Sequence, residues 1–159
     1  NQQVISAVNE SDLIIFSSGS LLTSIAPHLI NKTLVKALKK SSAPKMYICN
    51  LFTQPGETDN FKVSDHIKIL ESYLGSKSID VVVANNNMLD SKLVNIYQTT
   101  EQKDPVLLDE ENLKKLNVKI LTDDLAKIED GVYRHDSLKT AYLIFSYLMN
   151  SSKVTKENN

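Results

Sequence analysis

Short, uniformly apolar runs alternate along this chain with stretches whose apolar residues recur every third or fourth position. Residues 12–16, 45–50, 79–84 and 118–121 are runs of the first kind, rich in Val, Ile and Leu, and predict strands buried on both faces. The second kind predicts helices over residues 2–9, with Val4, Ile5 and Val8 on one side, and over 21–29, interrupted by Pro27, then 33–40. Further helices are expected over 65–74 and over 91–97 behind the cap Asp90, with a helix of one or two turns behind Asp109. A final helix over 137–149 carries Leu138, Ala141, Tyr142, Phe145 and Leu148 as its apolar face. Residues 105–108 read as a short extended piece. Strictly alternating strand and helix give an α/β fold with a mostly parallel sheet and helices on both faces. No repeat, linker or internal boundary divides residues 1–150, a single domain followed by a polar tail, 151–159, expected to fray.

At 159 residues the chain can bury one sizeable core, and 42% hydrophobic with 23% charged residues is ordinary for a soluble protein. A formal net charge of -1 offers no field for nucleic acid or an anionic membrane; the lysines at 36, 39 and 40 resemble many helical surfaces. No apolar run reaches the length of a membrane span. The opening Asn1-Gln2-Gln3-Val4 lacks a methionine and a basic leader, and reads as an interior position of a longer polypeptide. Cys49, alone in the sequence and inside an apolar run, excludes an intrachain disulfide and reads as an inert buried thiol, in keeping with a reducing cytoplasm.

Candidate chemistry lies where strands end. Residues 50–66 form a polar segment longer than a simple strand-to-helix turn needs, placed where open parallel sheets bind ligands. Pro55-Gly56 is a turn pair within it. Glu57, Asp59 and Asp65, near Thr53, Gln54, Thr58 and His66, could cradle ribose, sugar hydroxyls or a Mg²⁺-bound phosphate. The plain alternative has Ser64 and Asp65 capping the next helix and Glu57 solvated. Ser18, Gly19 and Ser20, with Thr23 and Ser24, suit a phosphate, though a glycine turn with a serine cap has the same composition. Asn85, Asn86 and Asn87 offer amides to a base or sugar, or simply turn the chain. Arg134 precedes His135 and Asp136, joining an anion-binding fork to a helix cap. His28, beside Pro27, reads as structural. Metal-ligand spacing, a nucleophile elbow, a P-loop and Gly-x-Gly-x-x-Gly are all absent from the sequence.

Together these residues identify a resemblance. Gly19-Ser20-Leu21, Thr23-Ser24-Ile25 and Pro27 are similar to the Gly-Pro-Gly-Ser-Leu-Tyr-Thr-Ser-Ile signature of the CofD/YvcK-like family. Asn50 and Leu51, the run 53–59, Phe61 and the run 63–66 resemble that family's most distinctive segment. Asn85-Asn86, Tyr97 and Arg134-His135-Asp136 follow in the expected order. The wording is closer to the YvcK branch, the gluconeogenesis factors, than to the 2-phospho-L-lactate transferases, and it corresponds to the family's C-terminal portion. The resemblance implies a Rossmann-like fold and a nucleotide or nucleotide-sugar partner. In the YvcK branch that ligand is a UDP-sugar, with roles in gluconeogenic growth, cell shape and envelope synthesis. It sets Tyr97 and Arg134 at the UDP-sugar, with Gly19, Ser20, Asn50 and Thr53 in the same crevice, and Ser137 where phosphorylation would change the charge. The transferase alternative uses a guanosine dinucleotide and Mg²⁺ held by Asp59 and Asp65. Ser17, Ser18 and Leu22 replace the family's Gly, Pro and Tyr, which keeps open a third reading, a paralogue acting through protein contacts. Whether the chain pairs with itself is left open.

Overall fold

The computed structural model describes residues 2–157, with side-chain surroundings for residues 2–150. Helix α1 (Gln2–Glu10) leads to β1 (Ile14–Phe16). A π-helical turn, Leu21–Ile25, runs into α2 (Ala26–Leu29) and α3 (Lys32–Lys40). Then follow β2 (Lys45–Ile48), α4 (Val63–Leu74), β3 (Val81–Asn85), α5 (Ser91–Glu101), α6 (Glu110–Leu116) and β4 (Lys119–Asp123). The chain ends in a hairpin, β5 (Ala126–Glu129) and β6 (Val132–His135), and in α7 (Ser137–Glu157). The final helix thus passes the expected end at residue 149 and takes in most of the polar tail; Asn158 and Asn159 lie outside the described residues.

Strands β1 to β4 are parallel and adjacent in chain order, with Tyr47 beside Phe16 and Val82. Right-handed crossovers between neighbouring parallel strands deliver their helices to one face. On that face Tyr47, Cys49, Val82 and Ala84 meet the π turn, Leu29, Leu38, Ile67, Leu70 and Leu113. The alternate residues Met46, Ile48, Val81 and Val83 meet Leu125 and, from α7, Leu143, Ile144 and Tyr147. Both faces are covered, as the apolar strands required, but the second by a single helix. Fully burying side chains such as Tyr47, Leu21 and Ile67 contributes about 1.5–3 kcal/mol each. Burial also pushes the Cys49 thiol far above its ordinary pKa, which leaves it inert.

Sequence patterning missed the hairpin. Its turn is Asp130-Gly131, both at positive φ (52° and 77°), the aspartate–glycine pair that two-residue hairpins favour. Periodicity also misread α7: the side turned to the sheet is Leu143, Ile144 and Tyr147, while Leu138, Tyr142 and Phe145 face solvent.

The start of α4 is held from outside its own segment. Asp109 accepts from the Ser64 amide at 2.9 Å and the Ser64 hydroxyl at 2.6 Å, and also from Asn112 at 2.9 Å. Asp109 stands at the N-cap of the helix that follows it, as expected, but its carboxylate bonds no amide there and closes α4 instead; of the pair expected to cap α4, Asp65 does so through the Lys62 amide, while Ser64 is a donor. Burial pushes the Asp109 pKa up, but hydrogen bonds from the Ser64 hydroxyl, Asn112 and the Ser64 amide outweigh it and hold the carboxyl below its usual range. Asp109→Ala should cost about 1–2 kcal/mol and lower Tm by roughly 3–6 °C. Because the folded pKa is depressed, this stabilisation is complete above the unfolded carboxylate pKa and is lost as pH falls through the folded value. Melting curves of wild type and Asp109→Asn should therefore converge in acid; a constant gap down to the acid limit would refute the assignment.

Candidate functional site

The C-terminal ends of β1 and β2 open onto a polar crevice of about 350 Å³. Ser18 and Ser20 come from the end of β1, and Asn50, Phe52, Thr53 and Gln54 from the end of β2. Tyr97, Glu101 and Lys103 come from α5 and its exit, and Val132, Tyr133 and Arg134 from the hairpin. This is the topological position at which open α/β sheets place ligands.

Its wall is aromatic. Phe52 stacks on Tyr97 with centroids 4.4 Å apart, and Tyr133 tilts against both at 5.6 and 6.1 Å. Tyr97 is buried, and its hydroxyl accepts the Tyr133 amide at 2.9 Å. The Tyr133 hydroxyl in turn accepts the Asp90 amide at 2.6 Å. Tyr97 therefore anchors the hairpin that carries Arg134. Arg134, the sole arginine of the sequence, is exposed, and its guanidinium makes no hydrogen bond or ion pair with the described residues. Lys103, by contrast, is paired with Glu101 at 2.6 Å. Gln54 Oε1 is buried without a partner, and so is His135 Nδ1, in a small recess shared with Ser18, Asn50 and Arg134. Burial lowers the His135 pKa, which favours the neutral ring.

Much of the 50–66 segment supports itself. Thr53 is buried and exchanges bonds with Asp104, its amide donating to the Asp104 carbonyl at 2.8 Å and its hydroxyl accepting the Asp104 amide at 2.9 Å. Thr58 is buried and accepts the Gln54 amide at 2.9 Å. Gly56 takes positive φ (75°), as its turn requires, and its amide donates to Asp59 at 2.8 Å. Asp65 accepts the Lys62 amide at 3.0 Å and pairs with Lys68 at 2.8 Å. His66, proposed as a ligand residue, is a core residue at 1% exposure, bonded to the Lys62 carbonyl and packed between Tyr47 and Phe61. Asp59 and Asp65, the expected Mg²⁺ pair, are committed to these local bonds, and no group of three or more metal-ligating side chains converges among the described residues.

At the first loop, Ser20 caps the π turn and donates to Glu57 at 2.6 Å, with Thr23 donating to the same carboxylate at 3.3 Å and bonding Ser20. A side-chain anion thus sits on the hydroxyls expected to meet a phosphate. Gly19 has no positive φ; its carbonyl accepts from Asn50 at 3.3 Å, so it holds the two loops together. Asn85 donates to the Asn87 carbonyl and accepts from the Leu125 amide, and Asn86 donates to Thr122. Both line a separate, more apolar cavity of about 530 Å³ beside Val106 and Leu107. The asparagines are thus not brought to Arg134. Phe52, Lys103 and Tyr133 were missed by the sequence reading; only the Asp130-Gly131 turn signalled that Tyr133 and Arg134 share a rigid strand. His28 is exposed on α2.

A Rossmann-like α/β unit with a polar, aromatic-walled crevice at its strand ends is the class defined by this geometry. The family model of the 2-phospho-L-lactate transferase CofD matches residues 1–126, and the chain belongs to this CofD/YvcK-like family, that of the gluconeogenesis factors. It is 39% identical over 149 residues to a putative gluconeogenesis factor of Clostridium acetobutylicum, covering 92% of this chain and 32% of that one. It is 36% identical over 146 residues to the gluconeogenesis factor of Bacillus subtilis, covering 92% and 46%. A crystal structure of a Bacillus halodurans protein superposes with a TM-score of 0.86 at 32% identity, covering 91% of this chain and 46% of that one. The chain spans about half the length of these relatives, or less. No helix among the described residues is long and apolar enough to cross a membrane.

The anchoring role of Tyr97 has a direct readout. Tyr97→Phe keeps the ring stack and removes the acceptor of the Tyr133 amide, a bond worth about 1 kcal/mol net. Hydrogen exchange at the Tyr133 amide should quicken roughly fivefold, with β2 and β3 amides unchanged; equal protection in both proteins would remove the anchor.

Proposed function

We propose that the crevice binds a nucleotide sugar, with a UDP-sugar as the ligand class, and that the chain serves a YvcK-type regulator of carbon metabolism, cell shape and envelope synthesis. The observation that carries this reading is the unpaired guanidinium of Arg134 beside the Phe52–Tyr97–Tyr133 stack. A nucleoside diphosphate presents a planar base and an adjacent dianionic chain. An aromatic wall and a planar fork complement those two parts. Ser18, Asn50 and the unpartnered Gln54 Oε1 supply neutral polar groups for ribose or sugar hydroxyls. The first-loop hydroxyls join the phosphate site once Glu57 moves off Ser20 and Thr23. The gluconeogenesis-factor relatives favour the regulatory branch over the Mg²⁺-dependent transferase alternative.

The test is thermal stabilisation by UDP-N-acetylglucosamine. At about 100 times its Kd the ligand should add roughly 2.7 kcal/mol, a rise in Tm on the order of 5–10 °C. Arg134→Ala should weaken binding by about 10–100-fold, as expected for a lost charge-assisted fork. No shift with the UDP-sugar, or a shift requiring GDP and Mg²⁺ together, would overturn the reading. Ser137, exposed in the first turn of α7 and three residues after Arg134, is the proposed modification position. Ser137→Asp should weaken the same ligand, and unchanged binding would remove that role.

A further inference from the structure

A recess of about 210 Å³ adjoins the crevice and shares Ser18, Asn50, Phe52, Tyr133 and Arg134 with it, whereas His135 lines the recess only. Small-molecule pockets usually hold about 300 Å³ or more, so the recess suits a diphosphate rather than a whole nucleoside. No Asp or Glu lines it. Asn50 is already committed, its amide donating to the Gly19 carbonyl at 3.3 Å and its Oδ1 accepting from the Tyr47 hydroxyl at 3.1 Å. That leaves the Arg134 guanidinium, the Ser18 hydroxyl and the His135 ring to meet whatever enters.

His135 is held from both sides. It pairs with Ala126 at the end of β6, and Asp136 behind it caps α7. Its Nδ1 is buried with no hydrogen-bond partner among the described residues. A buried N–H without an acceptor is rarer and costlier than a buried lone pair without a donor. The neutral ring therefore carries its one proton on Nε2, leaving Nδ1 as the idle acceptor. Burial keeps the ring neutral by lowering its pKa.

We infer that the recess is the diphosphate subsite of the crevice, where the His135 Nε2–H donates to a phosphoryl oxygen beside the Arg134 fork. The identity of the ligand rests on the nucleotide-sugar reading above, and the subsite orients it. The diphosphate lies in the recess, the base lies against Tyr97 in the crevice, and the ligand crosses at Phe52, Tyr133 and Arg134, which both compartments share. A planar fork and a fixed N–H then bind different phosphoryl oxygens, with Ser18 able to serve a third.

Nitrogen-15 NMR of the imidazole rings tests the tautomer without ligand. The resonances lost in His135→Gln identify the ring, and they should show Nε2 protonated and Nδ1 bare. Inorganic pyrophosphate and UDP-N-acetylglucosamine should each move the Nε2 resonance. His135→Leu should weaken both probes by roughly tenfold, the loss of one hydrogen bond to a charged group. His135→Gln, whose amide retains a donor, should recover most of that loss. A proton on Nδ1 of the wild-type ring would overturn the proposal. So would a loss in His135→Leu confined to UDP-N-acetylglucosamine, which would put the ring on base or sugar, or no loss with either probe. Pyrophosphate held through His135 by a chain that does not bind the UDP-sugar would instead overturn the nucleotide-sugar reading and support the subsite. Failure of both probes to bind the wild-type chain would overturn the two together.

Discussion

Strands that all run one way must each be carried back to the starting end before the next can pair, and β1 to β4 obey this without exception. Every return passes over the sheet as helix, so every loop that follows a strand emerges at the same end. Parallel pairing gathers residues 18–20 and 50–54 there, and helix α5 and the antiparallel hairpin bring Tyr97 and Arg134 to them. The buried residues of β2 and β3 enforce that pairing: alternate side chains feed two apolar clusters, and a shift of one residue would exchange them.

The crevice is framed by hydrogen bonds that residues 50–66 make with a distant strap. Thr53 with Asp104, the Val106 amide with the Leu51 carbonyl, and Ser64 with Asp109 join the segment to the chain entering α6. Polar groups that look free in sequence are therefore used in holding the loop. Apart from Gln54 Oε1, the free groups remain on the other wall, where Arg134 stands on a hairpin locked by Tyr97 and Phe52. Support and recognition are divided between the two sides of one cleft, which suits a preorganised binding site.

Helix α7 links that cleft to the outer surface. Its first turn is capped by Asp136, two residues after Arg134, and its inner side covers β3 and β4.

Sequence alone determined the four parallel strands and the helices, though not the β5–β6 hairpin, because continuous apolar runs and 3.6-residue periodicity are local properties of the chain. It determined the caps Asp90 and Asp136 and the Pro55-Gly56 turn for the same reason. It brought Arg134, Tyr97 and Asn50 into one candidate site only through resemblance. Tertiary structure alone decided that His66 is core, that Asp109 closes a helix beginning 46 residues earlier, and that Asn85 and Asn86 line another cavity. It also decided which side of α7 meets the sheet. Each of these depends on a contact between residues distant in sequence, and a hydrogen-bond donor or an apolar face carries no local mark of the partner that will satisfy it.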